Sequence, residues 1–242
     1  MLLTIDIGNT NIHCGLFFGK HLKQELRFKT KEYTKLAKLN WAKIDKAIVS
    51  SVVPALDNKI KKLVKCPIKF VRASNLPILK IKTKNINEVG ADRLVNAVAG
   101  YKLYKSPLMI IDFGTATTLC AITARGEYLG GIIAPGIELS RHVLHEKTAK
   151  LPLIKLKKPI QVIGKDTTSA MRSGLVLGYT GMVEGLLMRL EKELKNKYKQ
   201  KNIKIIATGG YAPLISKMMK RKIHIMPELT LSGLQIIAEE IF

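Results

Sequence analysis

One short pattern occurs twice in this chain, and it constrains the possible folds more than any other feature. The first copy is Ile5-Asp6-Ile7-Gly8-Asn9-Thr10 and the second is Ile111-Asp112-Phe113-Gly114-Thr115-Ala116-Thr117. Each follows an apolar, strand-like run, so each places an acidic side chain and a small, hydroxyl-rich turn at a strand end. Such a turn suits phosphate, because glycine admits a ligand close to backbone N–H groups and the polar side chains donate hydrogen bonds. The repetition predicts a duplicated domain with a nucleotide site between the halves.

The two carboxylates of this pattern, Asp6 and Asp112, predict that cations accompany the phosphates. A carboxylate repels a bare polyphosphate, whereas a cation placed between the two groups attracts both. The pattern therefore favours a metal-assisted nucleotide site.

The succession of elements agrees with a duplication. Strand-like runs occur in each half, at residues 2–5, 12–18, 22–28, 47–53 and 68–71, and again at 108–111, 118–122, 128–133 and 203–207. Helical spacing is found at residues 31–39 and 182–198. A further helical pattern from Leu94 fades before Ser106-Pro107, which predicts a short hinge and two domains, residues 1–105 and 106–242.

A third polar cluster, Glu88-Val89-Gly90-Ala91-Asp92-Arg93, opens the helix before that hinge. In the first helical turn, Asp92 is a candidate general base for a substrate hydroxyl, and Arg93 is a candidate partner for a carboxylate or phosphate. A structural interpretation stays open, in which Asp92 only interacts favourably with the helix dipole and Arg93 pairs with Glu88 on the surface.

The net charge of +23 arises from 41 Lys and Arg against 18 Asp and Glu. Such an excess attracts nucleic acid through long-range electrostatics. The lysines are dispersed, however, and few aromatic residues lie among them to stack on bases. We therefore expect a solvated lysine-rich surface that binds nucleic acid only weakly and without sequence preference.

The sequence also indicates a cytoplasmic protein that does not enter a membrane. No basic segment precedes the first apolar run, and no apolar stretch is long enough to span a bilayer. Three widely spaced cysteines, Cys14, Cys66 and Cys120, fit a reducing compartment.

Several segments taken together resemble the type III pantothenate kinase family. They occur in register along essentially the whole chain, at residues 6–11, 50–54, 90–97, 112–117, 128–131 with 135–136, 147–152 and 207–210. The tyrosine and proline that the family commonly has before its Gly-Ala-Asp-Arg motif are replaced here by Thr83 and Ile86.

The resemblance implies a fold, an activity and an assembly. The family belongs to the actin-like ATPase and sugar kinase superfamily, so we expect an α/β fold of duplicated actin-like (ribonuclease H-like) domains, with mixed sheets flanked by helices and an ATP cleft between them. Its members phosphorylate pantothenate with ATP, Mg²⁺ and a monovalent cation, K⁺ or NH₄⁺, in the first step towards coenzyme A. They are typically homodimers.

The resemblance also implies roles for individual residues. The first phosphate loop for ATP comprises Asp6, Ile7, Gly8, Asn9, Thr10, Asn11, Ile12 and His13, with Asp6 near Mg²⁺. In the second half, Thr115 contacts ATP and Asp112 binds the monovalent cation. Pantothenate is held by Gly90, Ala91, Asp92 and Arg93, with Asp92 as the proton acceptor. Thr167 matches a substrate-binding threonine that is supplied across the dimer.

Two other functions remain as alternatives. The first is a non-catalytic ligand sensor or transcription-linked accessory protein on the same fold, motivated by the net charge. Retention of Asp6, Asp92, Arg93 and Asp112 argues against it, because a protein that only binds has no need of a base beside a phosphate site. The second alternative is a kinase or phosphatase for another small hydroxylated acid.

Overall fold

The structure, a computed structural model, describes residues 1–242 and contains eleven strands. The strands are β1 (Leu2–Ile7), β2 (Asn11–Phe18), β3 (His21–Lys29), β4 (Lys46–Ser51), β5 (Ile68–Phe70), β6 (Lys80–Ile81), β7 (Leu108–Phe113), β8 (Ala116–Ile122), β9 (Glu127–Pro135), β10 (Lys204–Thr208) and β11 (His224–Ile225).

Seven α-helices accompany the strands: α1 (Pro54–Leu63), α2 (Ala91–Tyr104), α3 (Ile137–Glu146), α4 (Thr167–Ser173), α5 (Tyr179–Asn196), α6 (Ala212–Ser216) and α7 (Leu229–Ile241). Short 3₁₀ helices are found at Thr30–Lys38, Trp41–Lys43, Ala73–Asn75 and Ile86–Glu88, and a π-helical turn at Gly174–Gly178 joins α4 to α5. No helix combines the length and the apolar character that crossing a bilayer requires.

The first sheet has the strand order β3-β2-β1-β4-β5. The β1–β2 and β2–β3 pairs are antiparallel, whereas β4 pairs parallel with both β1 and β5. Its central strand β1 is almost fully buried, and its apolar side chains pack with Ile60 of α1 and Leu36. Central strands that are covered on both faces are mostly apolar, and four of the six residues of β1 are Leu or Ile.

The second sheet repeats this order as β9-β8-β7-β10-β11, with β6 added beyond β9. The central pairings also repeat, since β7 is antiparallel to β8 and parallel to β10. An α/β fold with two mixed sheets flanked by helices is therefore confirmed.

The chain forms two compact units. The first comprises residues 1–105, 126–130 and 228–242, and the second comprises 106–125 and 131–227. Unlike the predicted domains, the units are not continuous in sequence. Two features account for this: the first residues of β9 pair with β6, and α7 packs on α2, where Thr230 Oγ1 donates to Asn96 Oδ1 at 2.8 Å.

One element differs from the sequence prediction. The segment predicted as a helix at residues 31–39 is a 3₁₀ helix whose backbone is irregular at Glu32. The strand predicted at residues 47–53 is β4, which ends before Pro54, and Pro54 is the first residue of α1. Proline suits that position because its missing N–H would have no partner within the helix and its φ is already helical.

Candidate functional site

The two predicted phosphate loops occupy equivalent places in the two sheets. Asp6 is the fifth residue of the six-residue strand β1, and Asp112 is the fifth residue of the six-residue strand β7. In both strands the four preceding residues are buried, and the aspartate is only partly buried. Each aspartate is in register with a hydroxyl residue on the parallel neighbour, Ser50 for Asp6 and Thr208 for Asp112. The duplication therefore extends to the residues expected to handle phosphate.

The first loop is a tight turn between β1 and β2. The N–H of Gly8 donates to the carbonyl of Asn11 at 3.0 Å, and Thr30 Oγ1 donates to the carbonyl of Gly8 at 2.6 Å. Asn9 and Thr10 at the tip of the turn are exposed. Thr30 therefore holds the turn from one side and leaves the tip accessible to a ligand.

The other members of the predicted loop differ in what they can offer a ligand. The side chains of Ile7 and Ile12 are fully buried, so only their backbone groups are available. The His13 imidazole pairs with Glu25 of β3. Ser50 Oγ is buried without a hydrogen-bond partner. This hydroxyl lies at the level of Asp6 in the sheet.

Asp92 lies at the start of α2, in a pocket that Gly90 makes possible. Its Oδ1 accepts a hydrogen bond from the N–H of Arg93 at 2.7 Å. A Cβ on Gly90 would lie only 2.7 Å from the same oxygen, so a side chain there would displace the carboxylate. Burial raises the pKa of Asp92 above its ordinary value, against the opposing effects of the Arg93 N–H and guanidinium. A carboxylate held in this way is a stronger base than an exposed one.

The other residues of this motif lie nearby in the first unit. The Arg93 guanidinium lies over the Tyr128 ring, with its carbon 5.9 Å from the ring centroid. Glu88 accepts a hydrogen bond from Asn85 Nδ2 at 2.7 Å. Thr83 is partly buried, and its hydroxyl donates to the carbonyl of Asn85 at 3.3 Å.

A cavity of about 450 Å³ adjoins the start of α2. Its wall includes Gly90 and Ala91, together with the carboxyl end of β4 and the segment after β5. On that wall Asp57 accepts hydrogen bonds from Ser51 Oγ at 2.6 Å and from Arg72 at 2.7 Å. The volume is within the range of small-molecule sites, and the paired charges give the wall a fixed polar pattern.

The second loop, in the second unit, is enclosed by glycine backbone. Gly209 follows β10 with φ +92°, and a Cβ there would lie 2.7 Å from Asp112 Oδ1 and 2.6 Å from the Phe113 carbonyl oxygen. Gly136, just before α3, donates its N–H to the carbonyl of Thr115 at 3.1 Å. Only glycine allows backbone this close to the turn, so the loop after β10 and the start of α3 both contact the predicted cation and ATP residues.

Sequence reasoning missed a tyrosine that fixes this loop. Tyr179, the first residue of α5, shares a hydrogen bond with the buried Thr117 hydroxyl, and its pKa is raised to about 12, mainly by burial. The two residues are far apart in sequence, so no local spacing signalled the contact.

Thr167 is exposed at the first position of α4. Asp166 caps this helix, since its carboxylate accepts the N–H of Ser169 at 2.8 Å while its own N–H donates to Ser169 Oγ at 3.1 Å. The hydrogen bonds to Ser169 lower the pKa of Asp166. Thr167 is thus presented to solvent from a well-anchored helix start.

Comparison with solved structures shows which fold this arrangement belongs to. The chain is similar to a Campylobacter jejuni protein described as a Baf family transcriptional activator, with 19% identity, 98% of each chain covered and a TM-score of 0.64. It is also similar to a Sinorhizobium meliloti protein described as a 2-dehydro-3-deoxygalactonokinase, with 11% identity, coverage of 100% of this chain and 99% of the other, and a TM-score of 0.59. At these identities the matches show the fold alone, and they confirm the duplicated actin-like architecture.

A family model described as type III pantothenate kinase matches residues 2–189. The match includes both phosphate loops, the motif around Asp92 and the start of α4. Kinases of this kind use ATP together with a divalent metal ion. The chain therefore belongs to the type III pantothenate kinase family.

Proposed function

We propose that this protein transfers the γ-phosphoryl group of ATP to the primary hydroxyl of pantothenate, giving 4'-phosphopantothenate in the first step of coenzyme A biosynthesis. The single observation that carries the proposal is the Asp92 carboxylate, which is partly buried at the start of α2 beside Arg93, with a raised pKa. In a family of pantothenate kinases, a base in this position is suited to accept the proton of the substrate's hydroxyl group.

Asp92 and Arg93 have complementary roles in this reaction. The substrate hydroxyl oxygen attacks the γ-phosphorus, the bond to the β,γ-bridging oxygen breaks, and the hydroxyl proton passes to Asp92. Arg93 binds polar groups of pantothenate at the other end of the molecule from the reacting hydroxyl. Phosphoryl transfer depends on positioning more than on covalent chemistry, so the anchored carboxylate is the main contribution of this motif.

Asp6 is the residue proposed to lie near Mg²⁺. No group of three or more His, Cys, Asp or Glu side chains is arranged to hold a metal ion. This fits Mg²⁺, which in kinases is held by one or two carboxylates, substrate phosphates and water. The partnerless Ser50 hydroxyl in register with Asp6 is suited to bind such a water. When bound, the metal spreads the negative charge of the phosphates.

Asp112 is the residue proposed to bind K⁺ or NH₄⁺. Its carboxylate lies beside the backbone of Gly209 and close to the Phe113 carbonyl, so the local donors are oxygens that suit a hard cation. Thr115, which follows in the same turn, is proposed to contact ATP.

The proposed assembly is a homodimer in which Thr167 of one subunit contributes to the substrate site of the other. Ile160, Val162 and Ile163 are 74–100% exposed and lie in the segment that leads to α4. Gly174, Gly178 and Gly181 form an open strip beyond α4, because a Cβ at any of them would meet no atom within 4 Å. Exposed apolar side chains beside an open glycine strip favour close docking of a second copy.

A coupled ATP-turnover assay tests the activity. Pantothenate is compared with a panel of small hydroxylated acids at equal concentration, with and without K⁺. We expect pantothenate to be the best acceptor by a wide margin in kcat/KM. Better turnover with another hydroxy acid, or ATP hydrolysis independent of any acceptor, would contradict the proposal.

A further inference from the structure

The loop after β10 touches the turn that carries Asp112, yet the loop itself is held from elsewhere. Gly209 brings its backbone against Asp112 and Phe113, as described above. Two residues later, the hydroxyl of Tyr211 donates to Glu138 Oε2. Burial and the Glu138 carboxylate raise the pKa of Tyr211 to about 12, so this hydroxyl remains a donor at any working pH.

Glu138 is fixed by a second set of contacts. Its other oxygen, Oε1, accepts from the guanidinium of Arg141 and lies 3.2 Å from His142 Nε2. Arg141 also donates to the carbonyl of Ile154 at 3.0 Å, and its Nε is buried without a partner. An unmade hydrogen bond of this kind is a cost, which the two bonds made by the same guanidinium offset. Each oxygen of the Glu138 carboxylate therefore has its own donor.

The contacts form a closed ring around the second phosphate loop. Glu138 is the second residue of α3, whose preceding Gly136 donates its N–H to Thr115. From Thr115 the ring runs through α3 to Glu138, across to Tyr211 and back through Gly209 to Asp112. The Glu138–Tyr211 hydrogen bond is the side-chain contact that closes it. Residues 138 and 211 join two segments that each touch the turn separately.

We propose that Glu138 is a positioning residue for nucleotide binding: through Tyr211 it fixes the Gly209–Gly210 loop against the Asp112 turn, so that the cation and ATP groups keep their relative positions. This inference rests on the proposed function, because it assumes that the Asp112 turn binds nucleotide. The side chains of Glu138 and Tyr211 need not touch ATP, because they act by holding the binding loop in place before ATP arrives.

The test measures nucleotide binding separately from turnover. ATP with Mg²⁺ and K⁺ is titrated calorimetrically, without pantothenate, into Tyr211→Phe, Glu138→Ala and the double variant. We expect each single variant to weaken ATP binding about tenfold, as for the loss of one hydrogen bond to a charged group, and the double variant to be no weaker. In kinetics KM for ATP should rise while kcat changes less than about twofold.

Two further variants separate positioning from stability. Glu138→Gln keeps an oxygen that accepts from Tyr211, so it should bind ATP nearly as well as the wild type. Glu191→Gln is the matched control, because Glu191 also joins two cations, Arg221 and Lys195, within the same unit. It should lower the melting temperature without changing ATP affinity.

The outcomes distinguish this inference from the proposed function. Unchanged ATP affinity in Tyr211→Phe, or equal weakening in Glu191→Gln, overturns the positioning role and leaves the kinase activity standing. A wild type that binds ATP with the expected variant pattern but does not phosphorylate pantothenate overturns only the proposed substrate. A wild type that binds no nucleotide overturns both.

Discussion

Asp92 combines two properties that oppose each other in most aspartates. It lies at a helix start, where the unpaired N–H groups favour a negative charge, and it is desolvated, which disfavours one. The direction of its pKa shift shows that desolvation prevails. The residue thus gains basicity at some expense of folded-state stability.

Replacing this carboxylate by its neutral amide should therefore abolish activity without harming the fold. We expect Asp92→Asn to bind ATP normally and to lose roughly two or more orders of magnitude in kcat, because the proposed general base is removed. Steady-state kinetics and an ATP titration check both points. Turnover close to that of the wild type would rule out Asp92 as the base.

The same variant has a pH-dependent stability signature. A raised folded-state pKa means that the stabilising contribution of Asp92 is complete below its unfolded pKa and is lost as pH rises through the folded value. At about pH 7.5, Asp92→Asn should therefore melt at a temperature equal to or above that of the wild type. In thermal melts, the difference in melting temperature between the variant and the wild type should shrink as the pH falls towards about 4.5. A clear loss of stability at neutral pH would contradict the account.

Gly90 provides a test of the geometry around Asp92, the proposed base. Its φ of −55° suits alanine, so Gly90→Ala should fold, but the new Cβ would lie 2.7 Å from Asp92 Oδ1 and displace it. We expect kcat to fall at least about tenfold, as for a misplaced catalytic group. Gly185→Ala is the control, because its Cβ would meet only the flexible end of Arg189. Equal activity in the two variants would mean that the carboxylate position is not critical.

At the scale of elements, local sequence patterns predicted the strands well. Mostly apolar runs before Asp6 and Asp112 identified β1 and β7, because strands at the centre of a covered sheet bury both faces. The strand predicted at residues 47–53 ends before Pro54, as expected, but the helix α1 that begins there was not predicted. Proline both interrupts strands and begins helices, and the packing of Ile60 against the sheet decides in favour of a helix.

The candidate site contains residues that the sequence could identify and residues that it could not. Residues in short motifs, such as Gly90–Arg93, could be recognised from their order alone. Glu138 and Tyr211 could not, because they are 73 positions apart and neither lies in a periodic pattern with the other. Contacts of this range are fixed by the topology of the sheet, which brings the carboxyl ends of β7 and β10 together.

The helix α4 presents Thr167, and its proposed role in the neighbouring subunit has a direct test. Thr167→Val and Asp92→Asn should each be inactive as homodimers. If the two variants are mixed and allowed to exchange subunits, half of the dimers will carry one intact site, so about a quarter of wild-type activity should return. If Thr167 acts within its own subunit, mixing will restore nothing.

At the scale of the whole molecule, the charge of +23 is spread over a surface where lysines cover aromatic rings. Lys61 and Arg72 lie over Phe70, and Lys46 and Lys69 lie over Phe242, at 4.7–5.4 Å from the ring centroids. A ring that already has a cation on its face is poorly placed to stack on a base.

Binding to DNA or RNA should therefore be weak and independent of sequence. Fluorescence anisotropy titrations should show it decreasing steeply between low and physiological salt, because counterion release is its only source. Kinase activity at physiological salt should not respond to added nucleic acid. Tight, sequence-selective binding that survives physiological salt would instead favour the accessory-protein alternative.

The packing of α7 within the first unit sets an order for folding during synthesis. Its apolar face, which includes Leu231, Leu234 and Ile237, is fully buried, and Gly233 sits against the carbonyl of Val95. Domains commonly fold from the amino terminus as the ribosome releases them. Here the unit that starts at residue 1 lacks one of its core helices until residue 241 has emerged, whereas residues 106–227 are available earlier. The second unit can therefore be complete first, and the amino-terminal sheet must wait, partly uncovered, for the last helix to arrive.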